Sequence, residues 1–321
     1  MSLREFLVLL GVCTIWGLHF TVMRGAIGEA GIPPLFYAAV RMSLVALLML
    51  PFLRWHAGQM GRVVVAGLGF GAFNYLFMFP ALGMTTASAA AVAIELYMPM
   101  SVILGVLLLG ERVRAWSVLG IVLAFLGVVV IGLSEPGGAV GPLFAVGIVL
   151  VALAALSEAS GAIAVKKLPS LSPFQLLAWA GVMGSVVLWP ATLLLETDQM
   201  AAFGPDTRGA FFAALAYSAV LVSLVAHGSY YWLLGRLPLS VVAPVGLLNT
   251  VIGVAGGLLI LGEAPTLALF AGMAVTLSGV AIILWRSRIK DAKPSPDRPN
   301  PVTEAGHVAE HEPILPHTPT P

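Results

Sequence analysis

Residues 105–131 read GVLLLGERVRAWSVLGIVLAFLGVVVI, and residues 257–283 read GLLILGEAPTLALFAGMAVTLSGVAII. Each stretch holds an apolar run, then a Gly-Glu pair, then a second apolar run with two more glycines. The residues that recur in the second stretch, each 152 positions later, are Gly105, Gly110, Glu111, Gly120 and Gly127. So many matches in a single register indicate an internal duplication of the chain.

The composition indicates whether water or lipid surrounds this chain. Of its 321 residues 59% are hydrophobic and only 10% are charged, and the mean hydropathy is +1.00. Soluble domains carry about 25% charged residues. The apolar residues come in runs of about 20, the length that crosses a hydrocarbon core about 30 Å thick. We therefore expect an integral membrane protein whose apolar surface is covered by the lipid bilayer.

The apolar runs predict ten transmembrane helices. The first run, residues 6–23, is followed by nine similar ones, so we interpret it as a helix and not as a secretory signal peptide. The predicted spans are 5–25, 33–53, 63–83, 87–109, 114–133, 142–165, 173–195, 210–233, 239–261 and 265–285. A lone cysteine, Cys13, provides neither a disulfide framework nor a cysteine metal site.

Basic residues orient this bundle, since Lys and Arg accumulate on the cytoplasmic side of a membrane. With the N-terminus inside, only Arg24 and Arg208 of the 16 basic residues lie outside, and Arg41 lies within the second helix. This distribution predicts that both termini are cytoplasmic.

The last 35 residues, 287–321, contain eight prolines and are expected to form a disordered cytoplasmic tail. Its histidines, His307, His311 and His317, are expected to be solvated and not to bind a metal.

Five helices separate the two copies of the duplicated stretch, and five is an odd number. The copies therefore cross the membrane in opposite directions, with Glu111 facing the cytoplasm and Glu263 the outside. The fold class predicted is an all-α membrane protein of ten transmembrane helices, arranged as two inverted five-helix repeats. The repeats comprise residues 1–136 and 137–286. Both glutamates lie at helix ends, where the predicted role is capping and fixing a tight turn.

Three charged residues lie inside predicted helices, where each costs about 2.5–3.5 kcal/mol to insert. They are Arg41, Glu95 and Glu158. Arg41 and Glu95 lie at similar depth, so they either form a structural ion pair or line one cavity. In the second case Glu95 is a candidate proton carrier, and Arg41 can bind a substrate carboxylate through two parallel hydrogen bonds. Glu158 lies about two turns before Lys166, and snorkelling to the membrane interface or pairing with a basic loop residue is favoured over a second proton site.

Other polar and aromatic side chains at membrane depth are candidates for a substrate pathway. Helical spacing places them in stripes along their helices, although hydrogen bonding between helices remains the alternative for each one. Pro99 and Pro244 are expected to kink their helices. The candidates are Trp16, His19, Tyr37, Arg41, Asn74, Tyr97, Pro99, His227, Tyr230 and Asn249. Tyr231 belongs to the same stripe as His227 and Tyr230.

Several of these motifs occur together in one known family. The segments are Trp16-Gly17-Leu18-His19-Phe20, Pro34 with Arg41, Gly110-Glu111-Arg112, and Leu233-Leu234-Gly235-Arg236 with Pro244. In this order, over about residues 5–286, they resemble the EamA branch of the drug/metabolite transporter superfamily. The resemblance implies a ten-helix carrier of a bacterial-type inner membrane, with a central cavity, exporting amino acids or related metabolites. Glu95 and Glu158 depart from the pattern of such exporters.

Other function classes find little support in the sequence. There is no HExxH motif, nucleophile elbow or Walker A motif, so we expect neither an enzyme nor an ATP-driven pump. A net charge of +1 without a basic stripe does not predict nucleic-acid binding. A small solute is the expected partner and no cofactor is expected, apart from a proton gradient if transport is coupled. A facilitative channel or uniporter, and an importer, remain the alternatives, and the sequence does not reveal the oligomeric state.

Overall fold

The structure is a computed structural model that describes residues 2–134, 143–168, 171–237 and 245–291, except the side chains of Tyr231 and of residues 286–291. The described residues are helical, with short connections and no strand. We number the long helices α1 to α10. They are Leu3–Glu29, Pro34–Leu48, Met60–Met84, Ala87–Leu109, Ala115–Gly132, Phe144–Lys166, Pro173–Leu195, Arg208–Leu234, Val245–Ile260 and Leu267–Asp291.

By length and composition, eight of these helices can cross a membrane. Helix α2 and the described part of α9 are shorter, at 15 and 16 residues. The described chain is thus helical, with several helices apolar enough to cross a membrane, and the ten crossings remain a prediction. The last helix ends at Asp291 and not at residue 285, so the predicted tail begins with helical residues. The rest of that tail, its three histidines and Pro244 lie outside the described residues.

Helices α5 and α10 pack closely at two pairs of glycines. A methyl group on Gly120 would lie 2.7 Å from the carbonyl oxygen of Gly279, and one on Gly279 would lie 2.5 Å from that of Gly120. The same reciprocal contact joins Gly127 and Gly272, at 2.5 and 2.6 Å. Small residues permit this approach, which gives helices in lipid their van der Waals contact. Each pair joins one glycine of the first sequence copy to one of the second.

The duplicated Gly-Glu pair forms the same turn twice. Gly110 and Gly262 both have φ of 66°, the left-handed conformation that glycine adopts without strain. The N–H of Glu111 donates to the carbonyl of Gly105 at 3.2 Å, and that of Glu263 to Gly257 at 3.1 Å. In each case the bond reaches back six positions and closes the helix end over its left-handed glycine. It ends α4 in one case and α9 in the other.

Beyond this turn the two glutamates differ. Glu263 accepts hydrogen bonds from the backbone N–H groups of Ala87 and Ser88, at 2.5 and 2.9 Å, and so caps the start of α4. Glu111 instead forms an ion pair with Lys166 at 2.9 Å. The predicted capping role therefore describes Glu263, which holds a neighbouring helix in addition to its own turn.

Two further charged side chains, in addition to Glu263, form hydrogen bonds to the ends of helices. Glu196 accepts hydrogen bonds from the N–H groups of Leu35 and Phe36, both at 2.8 Å, at the start of α2. Arg24 donates to the carbonyl of Leu82 at 2.9 Å, at the end of α3. Carboxylates at helix starts and a guanidinium at a helix end match the helix dipoles. The end of the bundle at which α2 and α4 begin is thus held by charged hydrogen bonds.

Candidate functional site

A cavity of about 560 Å³, with polar and charged side chains in a largely apolar wall, lies between the helices. Eight helices contribute to its described lining, and α5 and α10 do not. It extends to Pro173 and Val245, the first described residues of α7 and α9, at the end of the bundle opposite the Glu263 contacts. Ten of the twelve predicted site residues line it: Trp16, His19, Arg41, Asn74, Glu95, Tyr97, Glu158, His227, Tyr230 and Asn249.

Arg41 is the most unusual residue of this lining. Its side chain is only 1% exposed, yet its Nε and Nη1 atoms have no hydrogen-bond partner among the described residues. Nη2 donates a long bond of 3.5 Å to the carbonyl of Ser218. The guanidinium also lies 4.6 Å from the ring centre of Tyr75, a cation–π contact. Buried donors are nearly always paired, so these two indicate a place for an acceptor from a ligand or from water.

Glu95 forms no ion pair with Arg41. Of the two alternatives for these residues, the structural ion pair therefore does not form. Among the described residues the ion pair is formed by Lys166 and Glu111. The Oε1 atom of Glu95 instead accepts a hydrogen bond of 2.6 Å from the hydroxyl of Thr250 on α9. The two charged groups face one cavity separately, which is the other alternative.

Glu158 also differs from the favoured sequence interpretation. It lines the cavity and accepts a hydrogen bond of 3.3 Å from the side-chain amide of Asn74. Lys166, the basic residue at the end of α6, pairs with Glu111. Residues eight apart are separated by about 12 Å along a helix axis, so Glu158 lies deeper in the bundle than Lys166.

Aromatic and imidazole rings form another part of the wall. Trp16 lies 5.1 Å, between ring centres, from both His227 and Tyr230. His19 stacks on Tyr217 at 6.5 Å. The Nε1 atom of Trp16 and the Nε2 atom of His19 are buried without a described partner, as is Oδ1 of Asn249. The wall therefore offers both unused donors and an unused acceptor.

Two predicted residues do not line the cavity. Tyr37 is fully buried behind it, where its hydroxyl and the Ser218 hydroxyl share a hydrogen bond of 2.6 Å. Pro99 is buried within α4. A proline ring clashes with the carbonyl four residues earlier, here that of Glu95. Consistent with this, residues Ile94–Leu96 form a 3-10 turn, so Pro99 shapes the backbone that carries Glu95. The side chain of Tyr231 lies outside the described residues.

The lining helices are irregular where they meet the cavity. A π-helical stretch, Leu68–Phe73, immediately precedes Asn74 in α3. A second one, Tyr217–Ala226, precedes His227 in α8. There the Nδ1 atom of His227 lies 2.7 Å from the carbonyl oxygen of Val222. Such stretches are often found at functional sites because they free backbone carbonyls and re-aim side chains.

The sequence analysis missed four polar residues at this site. Tyr75 stacks on Arg41, Thr250 bonds to Glu95, Ser223 lines the cavity, and Ser218 contacts both Tyr37 and Arg41. Tyr75 and Thr250 directly follow the predicted Asn74 and Asn249. Two adjacent polar residues within an otherwise apolar helix are the sequence pattern that could have identified Tyr75 and Thr250. Among the described residues no three His, Cys, Asp or Glu side chains are grouped as metal ligands.

Comparison with known proteins identifies the family. The EamA-like transporter family matches residues 3–133 and 145–285, most of the chain. The chain belongs to this family. A relative from Escherichia coli (strain K12), named a probable amino-acid metabolite efflux pump, is 29% identical over 301 residues. The alignment covers 90% of this chain and 99% of the relative.

Other relatives agree with this assignment. A protein of the same name from Salmonella typhimurium is also 29% identical, with 90% of this chain and 98% of the relative covered. An uncharacterised transporter from Archaeoglobus fulgidus is 27% identical, covering 88% and 99%. A crystal structure of a 20% identical protein superimposes with a TM-score of 0.58, over 91% of this chain and all of the other, which shows a shared fold. This EamA-like protein is thus a membrane transporter.

Proposed function

We propose that this EamA-like transporter is a secondary carrier that exports amino acids or related small metabolites by alternating access. The observation that carries this proposal is the buried, incompletely paired guanidinium of Arg41 in a cavity of about 560 Å³. A guanidinium binds a carboxylate through two parallel hydrogen bonds, and Nε and Nη1 both lack a described acceptor. The names of the relatives from E. coli and S. typhimurium support an amino-acid-like solute and the export direction.

The proposed architecture is ten transmembrane helices in two inverted five-helix repeats, with both termini in the cytoplasm of a bacterial-type cell. The reciprocal glycine contacts between α5 and α10 support it, because a two-fold axis that relates the repeats would turn the Gly120–Gly279 contact into the Gly272–Gly127 contact. The twin turns at Gly110 and Gly262 support it as well. Inverted repeats allow one half to rock against the other around a central site.

Glu95 is the proposed proton carrier of this transporter. Its carboxyl group lies in the cavity, hydrogen-bonded to Thr250 and free of an ion pair in the described chain. A carboxyl group that is not held by a fixed cation can take up and release a proton as the site turns from one side to the other. Ionisable residues at membrane depth commonly serve such relays. In this scheme a proton enters as the solute leaves.

Counterflow in proteoliposomes tests the proposal. Purified protein is reconstituted into liposomes loaded with an unlabelled amino acid or metabolite, and the uptake of the same labelled compound is followed with and without a pH gradient. A carrier accumulates label transiently above equilibrium, because its site returns loaded, whereas a channel does not. The proposal predicts such an overshoot for at least one amino-acid-like solute. Equilibration without overshoot for every compound would instead support a channel.

A further inference from the structure

The charged groups of the cavity are unequal in number. Among the described lining residues Arg41 contributes one positive charge, while Glu95 and Glu158 contribute two carboxylates. None of the three forms an ion pair within the described chain. With both carboxylates ionised the cavity carries one excess negative charge. Because buried charges are costly unless they are paired, the best ligand supplies a partner to each of the three.

The three charged groups have separate neighbours. The guanidinium of Arg41 lies over the ring of Tyr75 and donates a long hydrogen bond to the carbonyl of Ser218. Each carboxylate is anchored through one oxygen, Oε1 of Glu95 by Thr250 and Oε2 of Glu158 by Asn74. In the described cavity the second oxygen of each is left for a donor on a ligand.

Neighbouring groups also suit positively charged nitrogen. The buried Oδ1 atom of Asn249 has no described donor, and Asn249 adjoins Thr250, which holds Glu95. Tyr97 lines the same cavity as the two carboxylates and lies two residues after Glu95 in α4. Aromatic faces attract cations, and a desolvated site strengthens that attraction. This part of the cavity therefore offers acceptors and a ring to ammonium groups.

We propose that the cavity binds a diamino acid, with its carboxylate on Arg41 and its two ammonium groups on Glu95 and Glu158. The inference rests on the proposed transport function and specifies its substrate class. One carboxylate and two ammonium groups pair every charge in the lining. A neutral amino acid leaves one carboxylate unpaired, and a plain diamine leaves Arg41 unpaired.

Competition in counterflow tests this selectivity with lysine as the labelled probe. Norleucine has the same carbon chain without the terminal amino group, and cadaverine has the same chain without the carboxylate. We expect unlabelled lysine and ornithine to compete about tenfold or more better than either compound, because each of the two leaves one buried charge unpaired. Norleucine or cadaverine competing as well as lysine would overturn the inference. This comparison uses the wild-type protein and does not depend on any variant folding.

A substitution then assigns the effect to one carboxylate. Glu158→Gln preserves the size of the side chain and its acceptor for Asn74 but removes the charge. We expect the roughly tenfold advantage of lysine over norleucine to fall to about one, because the second ammonium group loses its partner. Glu29→Gln, an exposed site outside the cavity, serves as the control and keeps the wild-type ratio. An unchanged ratio in Glu158→Gln would overturn the assignment.

Failure of selectivity differs from failure of the transport proposal. If neutral amino acids show counterflow as strongly as lysine, the protein is a carrier without the selectivity inferred here. If no amino acid or related metabolite shows counterflow, the proposed transport function itself fails.

Discussion

Burying the Arg41 guanidinium costs free energy, and a few contacts hold it in place. A buried guanidinium is expensive in a bundle interior, and its described contacts are a cation–π interaction with Tyr75 and one long hydrogen bond to Ser218. Ser218 is itself positioned by Tyr37, the residue one helical turn before Arg41. This support orients the guanidinium while leaving Nε and Nη1 available.

The first prediction concerns the shape of the Arg41 side chain. Arg41→Lys keeps the positive charge but loses the planar pair of donors, so we expect the apparent KM for amino-acid counterflow to rise by about tenfold or more. Arg41→Ala should lose measurable affinity. Arg62→Lys, at an exposed site on α3, is the matched control. Wild-type affinity in Arg41→Ala would contradict a carboxylate contact at this residue.

The second prediction concerns Glu95. Glu95→Gln retains an oxygen that can accept the Thr250 hydrogen bond, so the variant is expected to fold. It cannot exchange a proton, and the ratio of transport rates measured with and without a pH gradient should fall to about one. The rate ratio separates coupling from any change in affinity, and Glu29→Gln is again the control. Stimulation by the gradient at the wild-type level would exclude Glu95 as the proton carrier.

At the scale of helices, the ends are held by charges and the middles by small residues. The third prediction compares two glutamates in equivalent sequence positions. Glu263→Ala leaves two N–H groups of α4 without their carboxylate and should cost about 1.5–3 kcal/mol. Glu111→Ala removes a partly exposed ion pair and should cost about 0–1 kcal/mol. Thermal unfolding in detergent should show the larger decrease in midpoint for Glu263→Ala, and equal decreases would contradict the capping role.

The fourth prediction tests the contact between α5 and α10. A methyl group in Gly127→Ala would collide with the carbonyl of Gly272, forcing the helices apart at a cost of about 1–3 kcal/mol. Gly11→Ala on α1 is the control, because nothing lies within 4 Å of its added methyl group. The midpoint of thermal unfolding should fall for Gly127→Ala alone. An unchanged midpoint would show that the helices separate without cost.

At the scale of the whole molecule, the bundle divides into a lining and a support. Eight helices surround the cavity, whereas α5 and α10 contribute none of the described lining and contact each other through glycines. In an inverted repeat these two helices are equivalent, so they lie together on the proposed two-fold axis. The pair can therefore hold the halves together while the lining helices change position.

The fifth prediction concerns topology. An even number of crossings places both termini on one face, and the bias of basic residues makes that face cytoplasmic. Reporter fusions that are active only on one side of the membrane, attached at residue 1 or residue 321, should both report the cytoplasm. A fusion at the connection between α5 and α6 should report the outside, as an internal control. Termini on opposite faces would contradict the inverted repeat.

The helices, the duplication and most of the cavity residues follow from the amino-acid sequence alone. Apolar runs and their breaks depend on local composition, so each of the ten predicted spans overlaps a helix in the described part of the chain. Charged residues in apolar helices are conspicuous because lipid excludes them, which is why Arg41, Glu95 and Glu158 could be named. The family resemblance was likewise carried by local motifs, and the family match agrees with it.

The pairing of these residues follows from the tertiary fold and not from the local sequence. Whether Glu95 meets Arg41 or Thr250 depends on how the helices rotate and approach, and spacing within one helix does not determine this. The π-helical stretches in α3 and α8 alter that rotation, and the partner of Glu263 lies 176 residues away. The physical reason is that lipid selects which residues enter a helix, whereas packing between distant helices selects which of their polar atoms meet.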